Sequence, residues 1–132
     1  MSFLHIDPTD GVALYAQVVR QVIYAVASGA LEPGERVPSV RELARDLAIN
    51  PNTVSRAYRD LQQENILRSV RGTGLEVTQD AVHQCRQRRI TVIRDRLRRL
   101  LRETRRSRLD PDELQRIWNE EFNALEAEEN QE

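Results

Sequence analysis

Residues 49–64 read "INPNTVSRAYRDLQQE". Val54, Ala57, Tyr58 and Leu61 follow the i, i+3, i+4, i+7 spacing of one helical face. Asn52, Ser55, Arg56 and Arg59 follow the same spacing two residues out of phase. At about 100° per residue the two rows lie on opposite sides of a helix, one apolar and one polar. Asn50 suits the N-cap, Pro51 suits the first helical position, and the helix runs to about Glu64. Asn65 follows, a residue that tolerates the left-handed C-terminal cap.

The same reading assigns the neighbouring segments. Residues 14–28 place Tyr15, Val18, Val19, Val22, Ile23 and Val26 on one wide stripe, and Gly29 supplies a cap. "LEPGERVP" is a turn around Pro33-Gly34, flanked by short extended pieces. Ser39 and Glu42 form a capping box for a short helix, with Val40, Leu43, Ala44 and Leu47 inward. Residues 66–78 read as two strands around Gly72-Thr73-Gly74. A hairpin of this size must pack on the helices before it.

Beyond Asp80 the spacing changes. Ile90, Ile93, Leu97, Leu100 and Thr104 make a short coiled-coil-like seam. Residues 80–89 lack it and read as an arm between two modules. After "SRLDPDEL", capped by Asp110 with Pro111 and Glu113, Leu114, Ile117, Trp118, Phe122 and Leu125 form a last stripe. The acidic tail is expected to fray.

Helix, short helix, tight connection, capped helix and hairpin, in that order, are the plan of a winged helix-turn-helix. The fold class is therefore mainly α with a small β-hairpin. A winged helix-turn-helix domain (residues 1–78) precedes a C-terminal helical dimerisation hairpin (residues 79–132). Close crossing of the two helices requires small residues, and Ala44 and Ala48 are placed where bulk would clash. Val54 can fill the wedge between them. Three ordinary amphipathic helices are the plainer reading, and the capping, spacing and wing together weigh against it.

Such a unit puts the N-terminal residues of its second helix against base edges. Asn52, Thr53, Ser55, Arg56 and Arg59 lie on or near that end. Arg suits guanine, Asn suits adenine, and Ser and Thr serve phosphates or bases. The acids of this helix, Asp60 and Glu64, stand near its far end. A merely solvated face does not require that asymmetry. Arg59 divides between a phosphate and water.

Charge is distributed unevenly. The net charge is −1 over 132 residues. Residues 80–108 carry eleven arginines against three acids, and residues 109–132 carry one arginine against nine acids. Two adjacent blocks of opposite sign suggest segments that pair within or between subunits. Exposed pairs contribute only about 0–1 kcal/mol each, so the apolar seam must supply most of the association.

No apolar run approaches the roughly 18–20 residues of a membrane span, and no signal peptide is evident. With one cysteine, Cys85, no internal disulfide forms, and a reduced cytoplasmic setting is expected. His83 and Cys85 are two residues apart, which does not put both on one helical face, so no metal site is expected. His5 stands without partners. No nucleophile–base set, acidic dyad or phosphate-cradling loop is present, so neither an enzyme nor a cofactor is expected.

"PGERVPSVRELARDLAINPNTVSRAYRDLQ", followed by "GTGLEV" and preceded by "ALYAQVVRQVIYAVASG", resembles the DNA-binding domain of GntR-family bacterial transcription regulators. The resemblance covers roughly residues 10–78. The short remainder resembles the YtrA-like subfamily, where a helical dimerisation hairpin replaces a large ligand-binding domain. The resemblance implies DNA contacts at Ser39 and Arg41, at Asn52, Thr53 and Arg56, and at Gly72 and Gly74 of the wing, with Thr73 between them. Arg41, beside Glu42, Arg45 and Asp46, can also be read as surface charge; the resemblance favours a phosphate or guanine.

Each hairpin has too little apolar partner surface of its own, so a homodimer is expected, and its two-fold symmetry predicts a double-stranded operator with inverted repeats. Dimerisation would run through Ile90, Ile93, Leu97, Leu100, Leu114, Trp118 and Phe122. Repression is expected, together with control of its own operon, often one encoding an ABC transporter. No convergent polar set marks an effector site. The chain departs from the family pattern at Ala13, Ala16, Asn65 and Glu76. An aromatic residue is usual where Glu76 stands, so altered packing of the second wing strand is expected. A winged-helix module that docks proteins is the alternative; a small enzyme is weaker still.

Overall fold

A computed structural model describes residues 4–131. The elements run α1 (Leu14–Ser28), α2 (Val40–Leu47), α3 (Pro51–Gln63), β1 (Leu67–Val70), β2 (Gly74–Val77), α4 (Ala81–Arg106) and α5 (Pro111–Glu129). The chain divides into two compact units, one ending at Thr91 and one beginning at Val92.

In the first unit α1 and α2 both pack on α3. The buried side of α1 is Val18, Val19, Val22, Ile23 and Val26; that of α3 is Val54, Ala57, Tyr58 and Leu61. Leu43 and Ala44 of α2 complete the junction, and Val54 is fully enclosed there. Fully burying one such valine, leucine or isoleucine contributes roughly 1.5–3 kcal/mol, so these two stripes are a large part of what holds the unit together. Leu67 and Val77 anchor the antiparallel pair of β1 and β2 to the same core.

The wing has a third extended piece. Val37 N–H donates to Leu75 O (3.0 Å), Val77 N–H to Glu35 O (2.9 Å), and Gly34 N–H to Val77 O (2.8 Å). Residues 34–37 thus cover the outer edge of β2, which would otherwise leave backbone groups unpaired.

Besides α1, which closes on Gly29, three helices close with non-glycine residues in the left-handed region. Asn65 (φ 61°) does so after α3, as its residue type suggests. Ala48 (φ 56°) and Arg108 (φ 58°) do so after α2 and α4. At α2, Ala48 N–H reaches Arg45 O and Ile49 N–H reaches Ala44 O, the paired bonds of a Schellman closure. Ala48 is exposed, so it is not small to avoid a clash in the crossing. Its demand is on the backbone; of these two alanines only Ala44 is buried.

Residues 80–89 are more than an arm between modules. α4 begins at Ala81, and Ala81 and Cys85 are wholly buried in the core of the first unit. Gln84 Nε2 donates to Glu64 O (2.8 Å), satisfying a carbonyl at the end of α3, and Arg88 pairs with the Glu64 carboxylate. The apolar seam starts only at Ile90, which hid this packing from a period-based reading. Leu4 is also in the core. Its segment is strapped to α1 by the buried Gln17 amide, which accepts from Asp7 N–H (2.9 Å) and donates to Asp7 O (2.8 Å) and Val12 O (2.9 Å).

In the second unit, α5 is capped by Asp110, which accepts from Glu113 N–H at 2.9 Å. That bond is the first cause holding the Asp110 carboxyl below its ordinary range. α5 remains helical to Glu129, through most of the expected fraying tail. It buries none of its residues, and Leu97, Leu100, Trp118, Phe122 and Leu125 are all exposed. Among the described residues no ion pair joins the arginines after Thr91 to the acids of α5. Each helix carries only a narrow apolar stripe, so a single copy does not cover it.

Candidate nucleic-acid interface

The start of α3 is fixed by Asn50, whose Oδ1 accepts from Asn52 N–H at 2.8 Å. With that start set, Asn52, Arg56 and Arg59 are exposed and Thr53 and Ser55 are half-buried. The first turns of α3 carry no carboxylate, and Glu64 at its far end is engaged by Arg88. The exposed N-terminal face is therefore cationic and rich in hydrogen-bonding groups.

α2 is held against α3 by a polar contact as well as by packing. The Tyr58 hydroxyl donates to Pro38 O at 2.8 Å, immediately before the α2 cap. Burial, and then the nearby charge of Glu42, raises the Tyr58 phenol above its ordinary pKa and keeps it a donor. Ser39 Oγ accepts from Glu42 N–H at 3.1 Å. The return bond of the expected capping box, from Ser39 N–H to the Glu42 carboxylate, is not formed among the described residues. Ser39 and Arg41 are both exposed.

The wing tip is braced from outside the hairpin. Arg36 Nη1 donates to Thr73 O at 2.8 Å. Gly72 (φ 81°) and Gly74 (φ 100°) take the turn through a region that side chains resist. At Glu76, where an aromatic residue was expected by resemblance, the carboxylate Oε1 accepts from Arg68 Nε (2.8 Å) and Nη2 (2.6 Å) directly across the hairpin. An ion pair thus occupies this cross-strand position.

Three shallow clefts join most of the predicted residues. One of about 590 Å³ brings Ser39, Thr73 and Gly74 together with Arg36 and Tyr58. A second, of about 420 Å³, is lined by Asn52, Ser55 and Arg59 with Val40 and Leu75. A third, of about 340 Å³, holds Asn52, Thr53 and Arg56 with Leu14 and Tyr15. Arg41 and Gly72 line none of the three. Tyr15 and Arg36 were missed by sequence reasoning. Each acts on a residue about 40 positions away, and no local spacing signals such a contact. His83 is exposed whereas Cys85 is buried, which separates them as expected. Among the described residues no helix is long and apolar enough to cross a membrane.

Residues 14–77 match the family of bacterial regulatory proteins, gntR family. The HTH-type transcriptional repressor YtrA of Bacillus subtilis (strain 168) is 32% identical over 121 residues, which is 92% of each chain. A transcriptional regulator from Oenococcus oeni shares the fold with a TM-score of 0.75 at 27% identity, over 91% of this chain and 99% of that one. The DNA-binding domain of AraR, solved in complex with operator ORX1, is 25% identical with a TM-score of 0.50, covering 57% of this chain and 96% of that one. The order α1 to β2, the cationic lead of α3 and the extended match to YtrA agree: the chain belongs to the GntR family of transcription regulators, with a winged helix-turn-helix DNA-binding domain and C-terminal helices, and is not an enzyme.

Proposed function

We propose that this regulator is a cytoplasmic homodimeric repressor that lays α3 in the major groove of each half of an inverted-repeat operator. The observation that carries this reading is the face of α3 itself. Val54, Ala57, Tyr58 and Leu61 are buried, while Asn52, Arg56 and Arg59 project from the opposite side with no acid among them. Such a face supplies donors in the geometry that base edges accept, and the charge that phosphates attract. Ser39 and Arg41 at α2, with Gly72, Thr73 and Gly74 of the wing, are assigned to the backbone on either side. YtrA is itself a repressor, which supports the sign of regulation. Control of its own operon, with a transporter among the genes, is part of the same proposal.

The dimer is assigned to the second unit together with Ile90. Ile93 is 51% exposed, Trp118 54% and Leu125 57%, and these rows repeat at helical spacing. A patch of this kind on a polar chain marks an association surface. The oppositely charged blocks of α4 and α5 fit a second copy.

Selection of bound fragments from random duplex DNA tests the proposal. A two-fold symmetric consensus with affinity falling steeply in salt is expected. On that operator Arg56→Ala should lose about 1–3 kcal/mol if Arg56 reads a base. Binding without any preferred sequence would overturn the reading and favour a protein-docking module.

A further inference from the structure

We propose that Tyr15 is a positioning residue that aims Arg56 at the operator. The Arg56 guanidinium carbon lies 3.7 Å from the centroid of the Tyr15 ring. Tyr15 is in the first turn of α1, is half-buried, and belongs to a different element from every DNA contact assigned above. It lines the same cleft as Asn52 and Thr53.

The stack has a specific consequence. A guanidinium over an aromatic face is held by the ring quadrupole, yet its N–H donors lie at its edge and remain available. Among the described residues Arg56 makes no hydrogen bond or ion pair. The ring therefore restricts the long side chain without using its donors. Arg59, one turn along, has no such ring among the described residues. Of the two arginines, Arg56 is the one prepared to meet a base or phosphate with less ordering on binding. Tyr24, also on α1, stacks with Arg89 of α4 at 4.5 Å, away from the start of α3, and serves as an internal control.

This inference rests on the assignment of Arg56 to DNA, and a double-mutant cycle separates the two. Affinities of full-length Tyr15→Leu, Tyr15→Phe, Tyr24→Leu, Arg56→Ala and the Tyr15→Leu/Arg56→Ala pair are measured on the selected operator and on a scrambled duplex. Tyr15→Leu should weaken operator binding about two- to fivefold, the size of an exposed cation–π contact. The loss should vanish in the Arg56→Ala background and be small on the scrambled duplex. Tyr15→Phe and Tyr24→Leu should bind as the parent does. An equal loss from Tyr15→Leu with or without Arg56, or no loss while Arg56→Ala is impaired, would overturn the positioning role. An unimpaired Arg56→Ala would remove the assignment of Arg56 to DNA, and the role of Tyr15 with it.

Discussion

Replacing Ala48 by glycine should stabilise the protein. Ala48 holds φ 56° and ψ 45° at the end of α2. An L-residue in that region gives up roughly 1–2 kcal/mol, because its Cβ crowds the following carbonyl. Its methyl group is exposed, so removing it leaves no cavity. The bonds to Arg45 O and Ala44 O come from backbone amides and survive the substitution. Against the gain stands the larger conformational entropy of unfolded glycine, about 0.5–1 kcal/mol. The net expectation is about 0.5–1 kcal/mol of added stability. For a unit of this size that raises the thermal midpoint by roughly 2–8 °C. Scanning calorimetry of parent and Ala48→Gly reads it directly. Asn65→Gly is the companion measurement and should gain less, since asparagine adopts the left-handed region more readily. An unchanged or lower midpoint for Ala48→Gly would refute the reasoning. So would a larger gain at Asn65.

Two further outcomes are expected. Leu97→Glu places a charge on the exposed row of α4 and should yield monomers in sedimentation, with tight operator binding lost; an intact dimer would count against that surface. Stability should fall between pH 9 and 11. Burial pushes the Cys85 thiol up to about 11, against the ordinary 9.0, with Arg88 opposing and Glu64 reinforcing the shift. Its contribution is complete below pH 9, where the unfolded thiol is also protonated, and is lost as pH rises towards 11. The buried Tyr58 phenol adds to the decline above pH 10. A thermal midpoint flat across that window would show that neither group is as enclosed as the structure has it.

Periodicity and capping made most of the first unit legible. Val54, Ala57, Tyr58 and Leu61 were readable because a helix packed on one side repeats its apolar residues every three or four positions. Asn50-Pro51 fixed the start of α3, and therefore which side chains lead. Four features escaped for one shared reason. The Leu4 strap, the buried Cys85, the Arg36 brace on Thr73 and the Tyr15–Arg56 stack all join residues distant in sequence. Nothing local to either partner signals the contact between them. Ala48 escaped differently: alanine is an ordinary helix residue, and only its backbone conformation in the fold shows that it terminates α2. At Glu76 the sequence showed an anomaly, and the structure supplied its partner, Arg68.

The enclosed thiol of Cys85 also makes the protein its own clock. Cys85 is the only sulfhydryl in the chain, so any thiol reagent has one target. Nothing of that target is accessible while the first turns of α4 stay seated on the core. Modification must therefore wait for a local opening of that seat, and at low reagent its rate counts how often the opening occurs. The seat includes Gln84 and Arg88, which grip the end of α3. A change in labelling rate on adding operator DNA would report, without any attached probe, whether occupancy of one end of α3 tightens the other.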